Sequence, residues 1–523
     1  VTASMQNGHL DVDAGMGDKS VAFKMRAQAL IDDKFATNIK LRLLLDSILM
    51  QPLGFTSTDL RVHGSVVAEI PVADMKAPQG SIQIAELIVA NDGKRYAADT
   101  ITVTASASDT GQVLTLHSQV AVATLAGRYN LATIAAGVMQ VVDKYYNTGV
   151  DSTVQSKDQW TLTAAVIPDS LLFAFVPALV GTDTMTLNAS FDGPAQKLGL
   201  LVKAPRIKMG EQVIDSLTIT AGNTGDNLAY SVSVNSVGSK SFRLQQTNLE
   251  GYLQNDALNA HLNIKDIDGK DKYQLGLNAK QEPGGVIRTS LSDTLMLDYE
   301  KWNVSNGNYI AYARDGIIVH EFNISNSGQL LSVHSTTENK TAPLEVVLNN
   351  FRIKTLTNIA EQDSLRIDGL LNGKATISNV MTTPVFIADL ALDTLTFNAD
   401  TVGNILVKID NQVANEFNAD VSITGNENDV RLLGKYFTGE GKMDMKLAIN
   451  NLNMASVKPF TFGALTQADG SLKGNVDIKG TASDPDINGQ LHFDNAHITP
   501  KATGEKLLLS NEVISVSSKD IRF

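Results

Sequence analysis

Apolar and polar residues alternate one by one through most of this chain, and a side-chain period of two is the signature of an extended strand with one dry and one wet face. In "MTLNASF", Met185, Leu187, Ala189 and Phe191 fall to one side while Thr186, Asn188 and Ser190 fall to the other. "LAYSVSV" repeats the pattern with Leu228, Tyr230, Val232 and Val234. Turn formers separate such segments: "NDG" from Asn91, "NTGDN" from Asn223, "DG" at Asp268, "NGN" from Asn306 and "DG" at Asp368, all suited to hairpins. The chain therefore reads as all-β with one or two short helices. "LATIAAGVMQVVDKYY" places Leu131, Ile134, Ala135, Val138, Val141, Val142 and Tyr145 at helical spacing. "IPDSLLFAFVPALV" offers Asp169 as an N-cap, with Pro177 stopping the helix early. Each helix is expected to lay an apolar stripe on a sheet and cover the end of a hydrophobic core.

With 523 residues, 43% of them apolar, the chain is expected to fold and to comprise more than one segment. The sequence divides into residues 1–150, ending in the amphipathic helix, a middle β segment over 151–360, and a C-terminal repeated β segment over 361–523. The lack of cysteine removes disulfides, thiolate metal sites and thiol nucleophiles. A formal net charge of -13 and the absence of any long Lys/Arg run argue against nucleic acid as a partner, because phosphate binding needs a basic footprint. The most apolar runs, Leu41 to Met50 and Ser170 to Gly181, are interrupted by a charge or a proline and are shorter than the roughly 20 residues of a spanning helix. Any signal or anchor is expected to precede Val1.

The segment "GSLKGNVDIKGTASDPDINGQLHFDNAHITP", Gly470 to Pro500, loosely copies "GLLNGKATISNVMTTPVFIADLALDTLTFNA", Gly369 to Ala399. An offset of 101 residues pairs Gly474 with Gly373, Ile478 with Ile377, Pro485 with Pro384 and Leu491 with Leu390. A second phrase returns as "DTITVTA" at Asp99, "DSLTITA" at Asp215 and "DTLTFNA" at Asp393. Repeated β units are expected to stack, each burying its apolar face on its neighbours.

Catalytic constellations are lacking. There is no G-x-S-x-G, no Walker A and no dinucleotide fingerprint. His492 and His497 have an odd spacing, which on an unbulged strand sends them to opposite faces and away from a shared metal. "DIDGKD", Asp266 to Asp271, is out of register with a calcium loop and is expected to be a hairpin turn. The carboxylate pairs Asp11/Asp13 and Asp484/Asp486 are expected on solvated loops. The chain is thus expected to be no enzyme, with neither cofactor nor metal.

Asp followed by Ser or Thr and then an aliphatic, Met or Thr recurs along the chain, and resembles the acceptor sequon for periplasmic O-glycosylation in some gut Gram-negative bacteria. The acceptors would be Ser47, Thr100, Ser152, Ser170, Thr184, Ser216, Thr294, Ser364 and Thr394. The alternative is that Asp-Ser and Asp-Thr simply open strands well.

The Gly470 repeat with its continuation to Gly504, the preceding "LLGKYFTGEGKMDMKLAINNLNMASVKPF", the earlier "LAGRYNLATI" and "LDYEKWNVSNGNYIAYARDGIIVHEFNIS" around Trp302 together resemble the TamB branch of the AsmA-like, repeating β-groove proteins. The resemblance implies an elongated, repeated antiparallel sheet curled lengthwise into a half-open β-taco groove with an apolar lining. It implies a periplasmic location in a Gram-negative bacterium, between inner and outer membranes, with an inner-membrane anchor outside this chain. It also implies a role in outer-membrane biogenesis, with phospholipid or another acyl-chain lipid as cargo and an Omp85-type outer-membrane barrel protein as a possible partner. The lining would come from alternating residues: Ile101, Val103, Leu187, Phe191, Leu217, Ile219, Leu228, Tyr230, Val232, Val234, Leu395, Phe397, Ile478, Leu491 and Phe493. The family's other implied role is that of a translocation and assembly module, a chaperone or scaffold whose sheet edges pair with nascent outer-membrane strands. A surface adhesin or a β-helical glycan-cleaving enzyme is a third reading.

Overall fold

A computed structural model describes residues 1–31, 36–56, 59–91, 93–149, 155–239, 243–359, 366–413, 415–518 and 521–522. As the alternation requires, nearly all of the ordered elements are strands. The described helices are short: α1 (Ile134–Asp143), α2 (Ser170–Phe175), α3 (Ile353–Ile359) and α4 (Met454–Val457). Two compact units form, Val1–Asp271 and Lys272–Phe523, so the cut falls inside the middle segment read from the sequence. Each is an open antiparallel sheet in which most strands pair with their chain neighbours, and neither is closed into a barrel. The all-β expectation is met.

The surface area is larger than compact bodies of this mass would have. The chain exposes 29480 Å². Two compact bodies sharing its mass would together expose about 22,000 Å². On the apolar faces most strand positions are half-buried and few are sealed, as in Ala36–Leu49 and Gln159–Val166.

Some sealed patches lie under short elements, whereas the cluster of Leu295, Trp302, Ile324 and Phe351 is built from strand residues. Helix α1 follows its predicted periodicity, and its Val141 and Tyr145 form a buried cluster with Phe191 and Leu228, flanked by Trp160, Leu198 and Leu253. The Trp160 and Phe191 rings stack at 5.5 Å. Asn223 ties the helix down by donating to the Tyr145 hydroxyl at 2.7 Å and accepting from the Leu198 N–H at 2.7 Å. Helix α2 starts on Asp169, whose carboxylate accepts from the Leu171 N–H, and ends at Val176, one residue before Pro177. Leu171 then packs on Leu60 and Val89. Val141 is 2% exposed, so Val141→Ala should lower stability by about 2 kcal/mol, read as a shift in the urea midpoint at constant slope.

The sequence repeat is a structural one. The hairpin of Ile367–Ser378 with Val385–Phe397 pairs Gly373 with Leu390 and Ile377 with Phe386. The hairpin of Leu465–Thr481 with Pro485–Pro500 pairs Gly474 with Leu491 and Ile478 with Ile487. Both also slip register at the same place, between Asp368 and Leu370 in the first and between Asp469 and Ser471 in the second. The "DG" at Asp368 is therefore part of a bulge inside a strand and not a hairpin turn. "NGN" at Asn306 also departs from expectation: it links Glu300–Val304 to Tyr309–Ala313, which pair with other strands.

Candidate functional site

Residues paired across an antiparallel ladder point to the same face, so the registers can be followed from strand to strand. In the unit Val1–Asp271 one such row begins Ala3, Val12, Ala27, Leu41, Ala68, Ile82, Val103 and Leu116. It continues through Ala123, Ala164, Leu187, Val202, Ile219, Val232, Leu249 and Leu262. Sixteen strands contribute one residue each and every residue is aliphatic. From Val12 onward all are half-buried except Ala68, which is buried. At a strand spacing of about 4.8 Å the row is about 70 Å long measured along the sheet.

A parallel row, one pleat away on the same face, runs through Ala105, Leu114, Leu125, Leu162, Ala189, Leu200, Ala221 and Tyr230. The intervening positions point the other way and are polar apart from Leu201: Asp11, Gln28, Lys40 and Glu69 early, then Thr104, Thr115, Thr124 and Thr163.

The unit Lys272–Phe523 is built alike. A row over thirteen strands starts at Val304 and passes through Ile324, Leu331, Leu348, Gly373, Leu390 and Val407. It goes on through Val421, Leu432, Leu447, Val476 and Gly489 to Val516. On its outer face Lys374, Asp389, Lys408 and Asp420 alternate in sign across four strands, an arrangement that favours this register electrostatically.

The Arg431 guanidinium grips Asp420 with two bonds of 2.9 and 2.8 Å and holds its carboxyl below the usual carboxylate range. Because the folded value is depressed, this pair contributes above the ordinary carboxylate pKa and its contribution is lost as pH falls through the folded value. In Arg431→Ala the Asp420 carboxyl should titrate at a higher pH, measurable by NMR. Both groups face water, so stability should change little.

The expected lining residues distribute as follows. Val103, Leu187, Ile219 and Val232 share the long row, and Tyr230 lies in the row beside it. Ile101 pairs with Ile84, Leu217 with Ala204, and Val234 with Thr247. In the second unit Ile478 pairs with Met445 and Ile487, and Leu491 with Gly474 and Ile514. Phe493 sits beside Leu472 against a small cluster around Met454. Four residues are corrections. Phe191 and Leu228 are enclosed under α1, and Leu395 and Phe397 are buried with Val402, with the Phe460 ring stacked on Phe397 at 4.8 Å, so none of the four lines an open face. Alternation reports the face of a residue but not what another element lays on it.

The Asp-Ser/Thr motifs fall into two groups. Thr100 and Thr184 precede strands and Ser170 opens α2, all exposed. Ser47, Thr294 and Thr394 sit where ladders slip register, and Ser216 and Thr394 have left-handed backbones. Ser152 and Ser364 lie outside the described residues. The phrase repeated at Asp215 and Asp393 thus marks an interruption in a strand more than its beginning.

Two further expectations change. Asp11 and Asp13 are on the strand His9–Gly17, bonded to Gln28 at 2.6 Å and Arg26 at 3.0 Å, and not on a loop. His492 and His497 point to the same side, because a bulge around Asn495 resets the parity between Leu491, Phe493 and Ala496, Ile498. Even so, no group of three metal-ligating side chains occurs among the described residues. Asp266 closes its turn by accepting from the N–H groups of Asp268 and Lys270 at 3.0 and 2.9 Å, as a hairpin requires.

No known protein family, curated protein or solved structure matches the chain. The geometry of the two faces is therefore the ground on which function is argued.

Proposed function

We propose that the open apolar faces are a solvent for lipid acyl chains, and that the protein is a non-enzymatic phospholipid carrier of the periplasm, shielding tails on their way between inner and outer membranes. The observation that carries this reading is the sixteen-strand aliphatic row, half-buried along nearly its whole length and interrupted by no polar residue. A soluble sheet normally covers such a face with a second layer. Here short elements such as α1 cover part of it. Each methylene moved from water onto the face contributes about 0.8 kcal/mol, so a dozen supply on the order of 10 kcal/mol. The attraction is non-directional, and neighbouring rungs are nearly equivalent, which suits movement along the row.

The reading is tested by placing a photoactivatable side chain at Val232, on the row, and separately at Ser231, its outward neighbour. Cross-linking in native envelopes should give a lipid adduct at Val232 and none at Ser231. Polypeptide adducts at Val232 in place of lipid would favour the chaperone role instead.

A further inference from the structure

A recess of about 900 Å³ lies in the unit Val1–Asp271, beside the rows and chemically unlike them. Helix α1 supplies one wall through Ala136, Gly137 and Gln140, residues Gln155 to Asp158 supply another, and Gly111, Gln112 and Arg128 close it at the strand ends. Its position follows from the register. Leu116, Leu114 and Gln112 are successive inward positions on one strand, so the recess opens about 13 Å from the long row.

Lys76, Arg128 and Lys157 stand exposed around it, and none has an ion-pair partner among the described residues. The acids of the lining are Asp109, which is exposed, and Asp158. Asp158 Oδ2 is buried with no hydrogen-bond donor, and the hydroxyl of Tyr129, a residue 3% exposed, is likewise buried and unpartnered. Burial raises the Tyr129 pKa, so the hydroxyl keeps its proton and can donate it to an anionic oxygen. Buried polar atoms are nearly always paired, and a guest that pairs these two would recover free energy the empty recess forgoes.

We infer that this recess holds the headgroup of a phospholipid bearing a primary ammonium: the phosphate lies toward Lys76, Arg128, Lys157 and the Tyr129 hydroxyl, the ammonium donates to Asp158, and the acyl chains run onto the Leu114 and Leu116 rows. This rests on the acyl-chain reading of the face. A primary ammonium brings N–H donors and a positive charge to the buried Oδ2 of Asp158. A trimethylammonium brings charge without donors, and a glycerol headgroup brings no cation.

The test incubates the full chain with vesicles of equal parts dioleoyl phosphatidylethanolamine, phosphatidylcholine and phosphatidylglycerol plus free oleate, re-isolates the protein and quantifies bound lipid by mass spectrometry. Phosphatidylethanolamine should be enriched over phosphatidylcholine about fivefold. Asp158→Asn, nearly the same size and with its backbone bond to Gly193 kept, should abolish the enrichment at unchanged total lipid. The triple change Lys76→Glu, Arg128→Glu and Lys157→Glu should lower phospholipid relative to oleate about tenfold. Equal recovery of the three headgroups, or an enrichment that survives Asp158→Asn, would overturn the headgroup site and leave the acyl-chain face standing. Recovery of no lipid at all would overturn both. Soluble phosphoethanolamine that erases the enrichment at micromolar concentration would reassign the recess to a free phosphate ester.

Discussion

Val232→Asp should reduce the lipid recovered with the protein about tenfold while shifting the unfolding midpoint little. Val232 lies between Ile219 and Leu249 in the long row and is half-buried, so a carboxylate there can still reach water at the open face. In a filled core the same change would cost several kcal/mol, because the charge would have to be desolvated (about 3 kcal/mol or more). On an open face the cost falls on the guest instead, since an acyl chain laid across the row must desolvate the carboxylate or leave a gap. Ser231→Asp, one residue away on the polar face, is the control and should leave lipid recovery unchanged. The pair of measurements separates the two situations. Marked destabilisation by Val232→Asp would show a plugged interior, and undiminished lipid across several such substitutions in the row would end the acyl-chain reading.

Gly474→Ala should cost about 4 kcal/mol, more than the loss of a core methyl group, and Gly373→Ala should cost about the same. Both glycines have φ values open to glycine and disfavoured for other residues, +152° and +129°. A Cβ at Gly474 would stand 2.1 Å from the Gln490 carbonyl oxygen, and one at Gly373 2.2 Å from that of Asp389. Neither neighbour can yield, because each is backbone within the paired hairpin. The two positions are equivalent in the duplicated hairpins, so unequal costs measured by urea unfolding would mean that the repeat is one of sequence pattern and not of local geometry.

Much of this architecture is legible in the sequence. Strand parity in "MTLNASF" and "LAYSVSV" places Leu187, Tyr230 and Val232 on the apolar face, because a period of two leaves no freedom until a ladder slips. Helix α2 is legible from its cap and its proline, and α1 from seven apolar residues at helical spacing. What parity cannot supply is the position of bulges and covers. The slip around Asn495 reverses the expected facing of His497 relative to His492. Phe397 has the sequence context of a lining residue and becomes buried because the short segment Lys458–Thr461 brings Phe460 over it, a contact between residues more than sixty positions apart. The recess beside α1 leaves no mark in the sequence either, since Lys76, Arg128 and Asp158 are brought together only by the fold.

The stretch of the row from Val202 through Ile219, Val232 and Leu249 to Leu262 changes so little from strand to strand that no station on it is privileged. Capacity in such a device is a matter of length: each added hairpin brings two more rungs with the facing preserved, and each deleted one shortens the track without breaking it. Single aliphatic exchanges along it should accordingly drift freely, whereas the glycines and bulges that shape the track should not.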